Sequence, residues 1–379
     1  METRNEFSRK PIVRPLAILA LVVFLCGGWG PVFAGEWKQA IGPWTWVFPR
    51  DHGAHPEFRT EWWYFTGNLR DSSGHRFGYQ LTFFRQGITL KPNDPNNPWS
   101  IRDLYLAHFT LTDRTADQFW YGERLSRQGP ELAGAKTDGM DVWLLDWSAK
   151  MEGNRIRIEA RHQGMELSLE LTPRKPLVFH GKKGLSRKGP KEGQASYYVS
   201  YTDLETQGSI KTPQSQTSVR VQGISWFDHE FGSNQLALDQ VGWDWFSLHL
   251  SDGHDLMVYF LRRTDNSVEP ASSGTLVSPS GKARDLHYSE IRVEVLDHWR
   301  SLKSGATYPS RWRIRAPSAE LEVVVAPVVP QQELITEGSS GVIYWEGAVE
   351  GKGRSAGKEI ACEGYVELTG YAGSLSGLF

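Results

Sequence analysis

One hairpin is written twice in this chain, and an internal repeat constrains a fold more tightly than any single motif. Near the start, Trp62, Trp63, Tyr64 and Phe65 are followed by Leu69, Asp71, Gly74-His75 and FGYQLTFFR, which ends at Arg85. Later, Trp243, Trp245 and Phe246 are followed by Leu250, Asp252, Gly253-His254 and DLMVYFLRR, which ends at Arg263, across a tighter turn. The echo continues in the same order: RIRIEA and ELSLELTP, ending at Pro173, answer WRIRAP and ELEVVVAP, ending at Pro327. Gly223-Ile-Ser-Trp-Phe closes the first half and Gly364-Tyr-Val-Glu-Leu the second. Shared order separates a duplication from a coincidence of aromatic residues, so two copies of one β unit are expected, over residues 35–235 and 236–379.

The period of the apolar residues says what each copy is. RIRIEA, MELSLEL, VRVQGISW, IRVEVL and AELEVVVA alternate or run β-branched, with Gly, Pro, Asp or Asn between them. Only SEIRVEVLDHWRS competes as a helix, and its β-branched residues favour strand. The fold class is therefore all-β, and many short strands imply a sandwich or a barrel. A barrel removes exposed sheet edges and offers an interior or mouth for an apolar ligand. Two irregular loops, KPNDPNNPW ending at Trp99 and the basic, Gly-rich stretch from His180 to Gln194, are expected to be lids or mobile connections.

Ahead of the repeat, Arg4, Arg9, Lys10 and Arg14 precede an apolar run from Leu16 to Cys26, and Val32-Phe33-Ala34 offers a cleavage site. That is the pattern of a secretory signal peptide over residues 1–34, the run being short for a spanning helix, with a retained membrane anchor as the alternative. It places the mature chain in the periplasm or outside the cell. Cys362 is then the one remaining cysteine, so stability has to come from the core and not from an internal disulfide. A formal net charge of -2 and the lack of a basic tract outside the Lys182 to Lys191 loop argue against a nucleic-acid surface. The sixteen tryptophans are the compositional anomaly.

HGAHPEFRTEWWYFTGNL, FGYQLTFFR, YLAHFTLTD, SYYVSYTDL, GISWFDHEFG, GWDWFSLHLSDG and GYVELTGY, in that order, resemble the secreted AttH-type family, relatives of carotenoid 1,2-hydratase. The resemblance spans nearly all of the mature chain. It implies two tandem lipocalin-like antiparallel β-barrels and a role with a lipid or isoprenoid. Family members carry the label of secreted hydrolases, and family association makes an envelope transporter a candidate partner. In the hydratases a His-x-Trp pair and a Tyr-x-Asp pair are implicated. Here the first corresponds to His229 with Phe231, and Asp244 is the acid nearest the second.

Chemistry is expected where Asp228, His229 and Glu230 lie between Trp226-Phe227 and Phe231. Strand alternation puts His229 on one face with Phe227 and Phe231, and Asp228 and Glu230 on the other. An acid in an apolar surround stays protonated near neutral pH, as the first step of alkene hydration requires, and indole or phenol faces stabilise the cation that follows. Asp228, His229 and Asp244 are the candidate catalytic groups, or else hydrogen-bonding caps of the domain boundary. Trp62, Trp63, Tyr64 and His108 from the first copy are candidates to line a hydrophobic ligand. Trp226, Phe231, Trp243 and Trp245 join them from the boundary. No organic cofactor is expected. His52-x-x-His55 beside Asp51 and Glu57 has too few ligands at fixed spacing for a zinc site, and no metal is expected. Glu61 and Arg85 are expected to form either an ion pair that closes the barrel or a stack of the arginine on tryptophan. A serine hydrolase is disfavoured, since residues 373–377 read GSLSG with Leu375 in the nucleophile position.

Overall fold

The computed structural model describes residues 36–376, apart from positions 93, 95, 98 and 235. The signal peptide expected over residues 1–34 lies outside the described residues.

The first sheet holds β1 (Thr60–Asp71), β2 (Arg76–Gly87), β3 (Asp103–Asp113), β4 (Gln118–Arg127), β5 (Ala133–Ala135), β6 (Asp141–Leu144) and β7 (Trp147–Glu152). It continues with β8 (Arg155–His162), β9 (Met165–Pro173), β10 (Val178–Phe179), β11 (Leu185–Arg187), β12 (Ala195–Lys211) and β13 (Val219–Gly232). Its spatial order is β4-β3-β2-β1-β13-β12-β9-β8-β7-β6-β5, with β10 and β11 also paired to β12. The second sheet holds β14 (Gln240–Leu250), β15 (Asp255–Arg263), β16 (Ser273–Val277), β17 (Ala283–His287) and β18 (Arg292–Arg300). It is completed by β19 (Thr307–Ala316), β20 (Leu321–Pro327), β21 (Glu333–Ile335), β22 (Ile343–Ser355) and β23 (Lys358–Leu368). Its order is β17-β16-β15-β14-β23-β22-β20-β19-β18. These nine strands repeat the order of the first nine in the first sheet, with β1 matching β14 and β13 matching β23, while β6 and β5 have no counterpart. Among the described residues the strands all pair antiparallel, and the sheets curl into a nearly closed lipocalin-like barrel and a half-barrel.

Register fixes the repeat residue by residue. Phe65 sits between Leu81 and Phe227, and Phe246 sits between Val258 and Val366. Two of the motif pairings therefore need correcting. Arg262 matches Arg85, because the second hairpin is tighter than its motif suggests, and Arg263 instead faces Glu269. The closing strands are offset by two residues from the glycine-anchored pairing, so Asp228 matches Glu367 and Trp226 matches Tyr365.

Period-2 alternation gives each strand an inner and an outer face. The inner face of the first sheet buries Trp63, Phe65, Leu81, Phe83, Phe109 and Trp147, and that of the second buries Phe246, Val258, Trp312, Trp345 and Val366. Fully burying one such side chain contributes on the order of 1.5–3 kcal/mol. The outer faces also meet. Tyr64, Tyr198 and Trp226 pack with Trp245, Met257, Tyr259, Ala348 and Tyr365 in a separate buried cluster. Gly78 permits this approach, since a Cβ there would lie 2.7 Å from Ala348 Cβ and 2.8 Å from the Tyr365 hydroxyl. Residues ahead of β1 cap the mouth of the first barrel, where Trp44 and Trp46 pack on Phe58, Tyr197 and Phe231.

The stretch SEIRVEVLDHWRS forms a strand over Arg292–Arg300, as its β-branched residues favour. The loop from His180 to Gln194 departs from expectation: β11 pairs it to β12, and Lys188 is buried. A desolvated lysine requires a counter-charge, and Glu230 supplies it at 3.0 Å, which pins the loop.

Candidate functional site

β13 carries two chemistries on its two faces. Trp226, Asp228 and Glu230 face the junction of the sheets, and Phe227, His229 and Phe231 face the barrel interior and its mouth. Asp228 and His229 are chain neighbours and do not share a site.

At the junction, Asp228 Oδ1 accepts from Trp226 Nε1 at 2.6 Å and from Ser200, and Oδ2 accepts from the Tyr198 hydroxyl at 2.7 Å. Trp245 Nε1 donates in turn to Tyr198 at 3.1 Å. Burial pushes the Asp228 carboxyl up to about 7 even against those three donors. Its counterpart Glu367 accepts from Trp243 Nε1 at 2.7 Å, and burial pushes it up to about 7 as well. Glu346, across the strand pair from Glu367, accepts from Tyr64 at 2.8 Å and is raised well above the carboxylate range by burial and by the Glu367 charge. Aromatic walls surround these acids: Trp245 meets Tyr64 edge-on at 5.1 Å and Trp226 at 6.2 Å. Trp62 and Trp243 line the half-buried rim. The arrangement can store protons at neutral pH beside π faces, which suits protonation of an alkene and shelter of the resulting cation.

His108, on β3, connects this region towards the surface. Its Nδ1 lies 2.7 Å from the Tyr344 hydroxyl and its Nε2 3.0 Å from Ser339 Oγ, and Ser339 donates to the half-buried Glu123. Burial lowers His108 to about 3, so the neutral ring can accept at one nitrogen and donate at the other.

The mouth cluster is ionic. Glu61 Oε2 accepts from Arg85 Nε at 3.0 Å and from the His55 backbone N–H at 2.9 Å. Its Oε1 faces His55 Nδ1 at 2.8 Å and His229 Nε2 at 2.9 Å. Arg85 also reaches Asp103 at 2.9 Å and the carbonyls of His55 and Phe58. Burial favours the neutral acid at Glu61, but the His55 charge, the two imidazole hydrogen bonds and the Arg85 charge outweigh it and hold the carboxyl well below its ordinary range. The Glu61 to Arg85 ion pair expected from the sequence is thus present, and His55, Glu61 and His229 form the one group of potential metal ligands among the described residues. The grouping imagined around His52 does not form, since His52 turns to Tyr201 at 3.2 Å and Glu57 to Lys38.

A family model described as AttH-like matches residues 39–371. The chain belongs to the AttH-like family. Among solved structures, this AttH-like chain is 34% identical to an AttH-type protein of Nitrosomonas europaea, with a TM-score of 0.77 over 88% of this chain and 99% of that one. Kievitone hydratase of Nectria haematococca shares the fold at 15% identity, with a TM-score of 0.66 over 86% of this chain and 93% of that one. CghA bound to Sch210972 follows at 14% identity, with a TM-score of 0.50 over 84% and 90%. No curated protein sequence matches.

Across the AttH-like scaffold the expected residues divide. Trp62, Tyr64, Trp226, Trp243 and Trp245 gather with Asp228 at the junction. Trp63 lies inside the barrel, stacked on His229 at 5.1 Å, and Phe231 stacks on His55 at 3.6 Å. Asp244 shares a strand face with Phe246 and not with Trp243 or Trp245, and pairs with Arg262 at 2.9 Å and Tyr371 at 3.0 Å. Sequence reasoning missed Tyr198, Glu346 and Glu367. The available signal was the duplication itself, because aligning the closing strands on their acids puts Glu367 opposite Asp228.

Proposed function

We propose that the junction binds a hydrophobic, unsaturated small molecule, a lipid or an isoprenoid, and that Asp228 protonates its double bond in a hydratase- or isomerase-type reaction. One observation carries the reading: matched acids, Asp228 and Glu367, stand beside indoles with both carboxyls poised near neutrality. At pH 7 one can be protonated while the other is ionised, which is the composition of an acid–base pair. Asp228 gives its proton to one alkene carbon, leaving a tertiary cation at the other. Water then forms the C–O bond and releases a proton to ionised Glu367, while in an isomerisation Glu367 takes the proton from a neighbouring carbon. The name of kievitone hydratase, whose fold this chain shares, supports the reaction class. The leader pattern before residue 35 supports action in the periplasm or outside the cell.

The test is incubation with prenylated phenols, farnesol and geranylgeraniol in D2O or in 18O-labelled water. Label incorporated at the former alkene, abolished in Asp228→Asn while tryptophan quenching by the same compound persists, supports the reading. Absence of both quenching and label across these compounds defeats it.

A further inference from the structure

We infer that His55 Nδ1, Glu61 Oε1 and His229 Nε2 form a buried site for a divalent transition-metal ion, of which zinc is the representative. The inference is independent of the junction chemistry. The three atoms lie within 4.8 Å of one another, and all three residues are buried. Each comes from a different segment: the cap ahead of β1, the start of β1, and the end of β13. A single ion would bind the cap to the barrel mouth.

The hydrogen bonding supplies a second, independent observation. With no cation, Glu61 Oε1 must take an N–H from each imidazole. A neutral His229 has one proton, and spending it on Glu61 leaves Nδ1 bare; that atom is fully buried with no hydrogen-bond partner. Such an orphan is costly in a dry interior. A cation on Nε2 moves the ring proton to Nδ1, on the side of the Asp51 backbone. At His55 the cation takes the place of the Nδ1 proton and leaves the Nε2 proton, 3.6 Å from the Asp51 carboxylate. Imidazole ligands donating their second N–H to a carboxylate or a carbonyl are the usual outer shell of a zinc site. Glu61 is prepared in the same way, because Arg85 occupies Oε2, the His55 N–H is shared between the two oxygens at 2.9 and 3.2 Å, and Oε1 faces both rings. Both rings are also clamped, His55 against Phe231 and His229 against Trp63. Two imidazoles and one carboxylate select zinc and its neighbours over calcium or magnesium.

The test uses the full chain produced in medium containing Zn2+ or Co2+ and passed through a chelating column. About one equivalent of metal per chain is expected, and the Co2+ form should show the intense visible absorption of low coordination number. His229→Gln and Glu61→Gln should lose that equivalent. Asp51→Asn should weaken retention against a competing chelator about 10- to 100-fold. Exposed His75→Gln and junction Asp228→Asn should keep it in full, which separates failure here from failure of the proposed function. Wild-type protein free of metal, or a pale six-coordinate Co2+ spectrum, overturns the inference even if the ligand variants do not fold.

Discussion

Glu61 and Asp228 are both buried carboxyls on adjacent strands of one sheet, three residues apart in register, yet their chemistry is opposite. Glu61 faces a guanidinium and two imidazoles and is held ionised. Asp228 faces hydroxyl and indole donors, with Glu230, its partner Lys188 and Glu367 as the nearby charges, and burial pushes it up to about 7. Burial alone does not set a carboxyl's state; the sign of the charge beside it does. The mouth is therefore built to hold charge, and the junction to hold protons.

That contrast can be broken most violently at Arg85. Replacing it by Leu strips the buried Glu61 and Asp103 of their shared guanidinium and leaves only the charge of His55 beside Glu61 and Arg102 at 3.8 Å from Asp103, which costs about 3–5 kcal/mol and should appear as a large fall in the urea midpoint. At the junction, Asp228→Asn preserves shape and removes the acid. Turnover of any alkene substrate should fall about 10²- to 10⁴-fold, with a much smaller change in the urea midpoint.

A smaller effect sharpens the comparison through pH. Asp228 and Glu367 bind protons more tightly folded than unfolded. Their stabilisation is complete below the ordinary carboxyl range near about 4 and fades as the pH rises towards 7. Denaturation midpoints measured across that window should fall in the wild type and flatten in the Asp228→Asn, Glu367→Gln double variant. An unchanged slope in the double variant would assign the pH dependence elsewhere. The smallest effect belongs to the exposed pairs: Arg315→Ala, which removes one of two arginines paired with Glu322 at the surface and leaves Arg313, should leave the midpoint where it was.

Much of this architecture was legible in the chain. Local rules sufficed for the strands, for the duplicated hairpin, for the opposite faces of Asp228 and His229, and for Glu61 with Arg85. They failed where two outer faces pack together. An outer-facing Glu346 or Glu367 reads as a solvated residue, because nothing within its own strand says that another sheet covers it. Lys188 misled for the same reason, as its partner Glu230 lies far along the chain. The offset of two residues between the closing strands arose from aligning Gly223 with Gly364, when register and burial align the acids.

The central claim is that the junction stores protons at neutral pH. Isotope-edited infrared spectroscopy of protein carrying carboxyl-labelled aspartate reads this directly at pH 6. The account predicts a neutral-carboxyl stretch that persists to near pH 7 and disappears in Asp228→Asn. A spectrum with carboxylate bands alone at pH 6, and titration of Asp228 near the ordinary value of about 3.9, would contradict it.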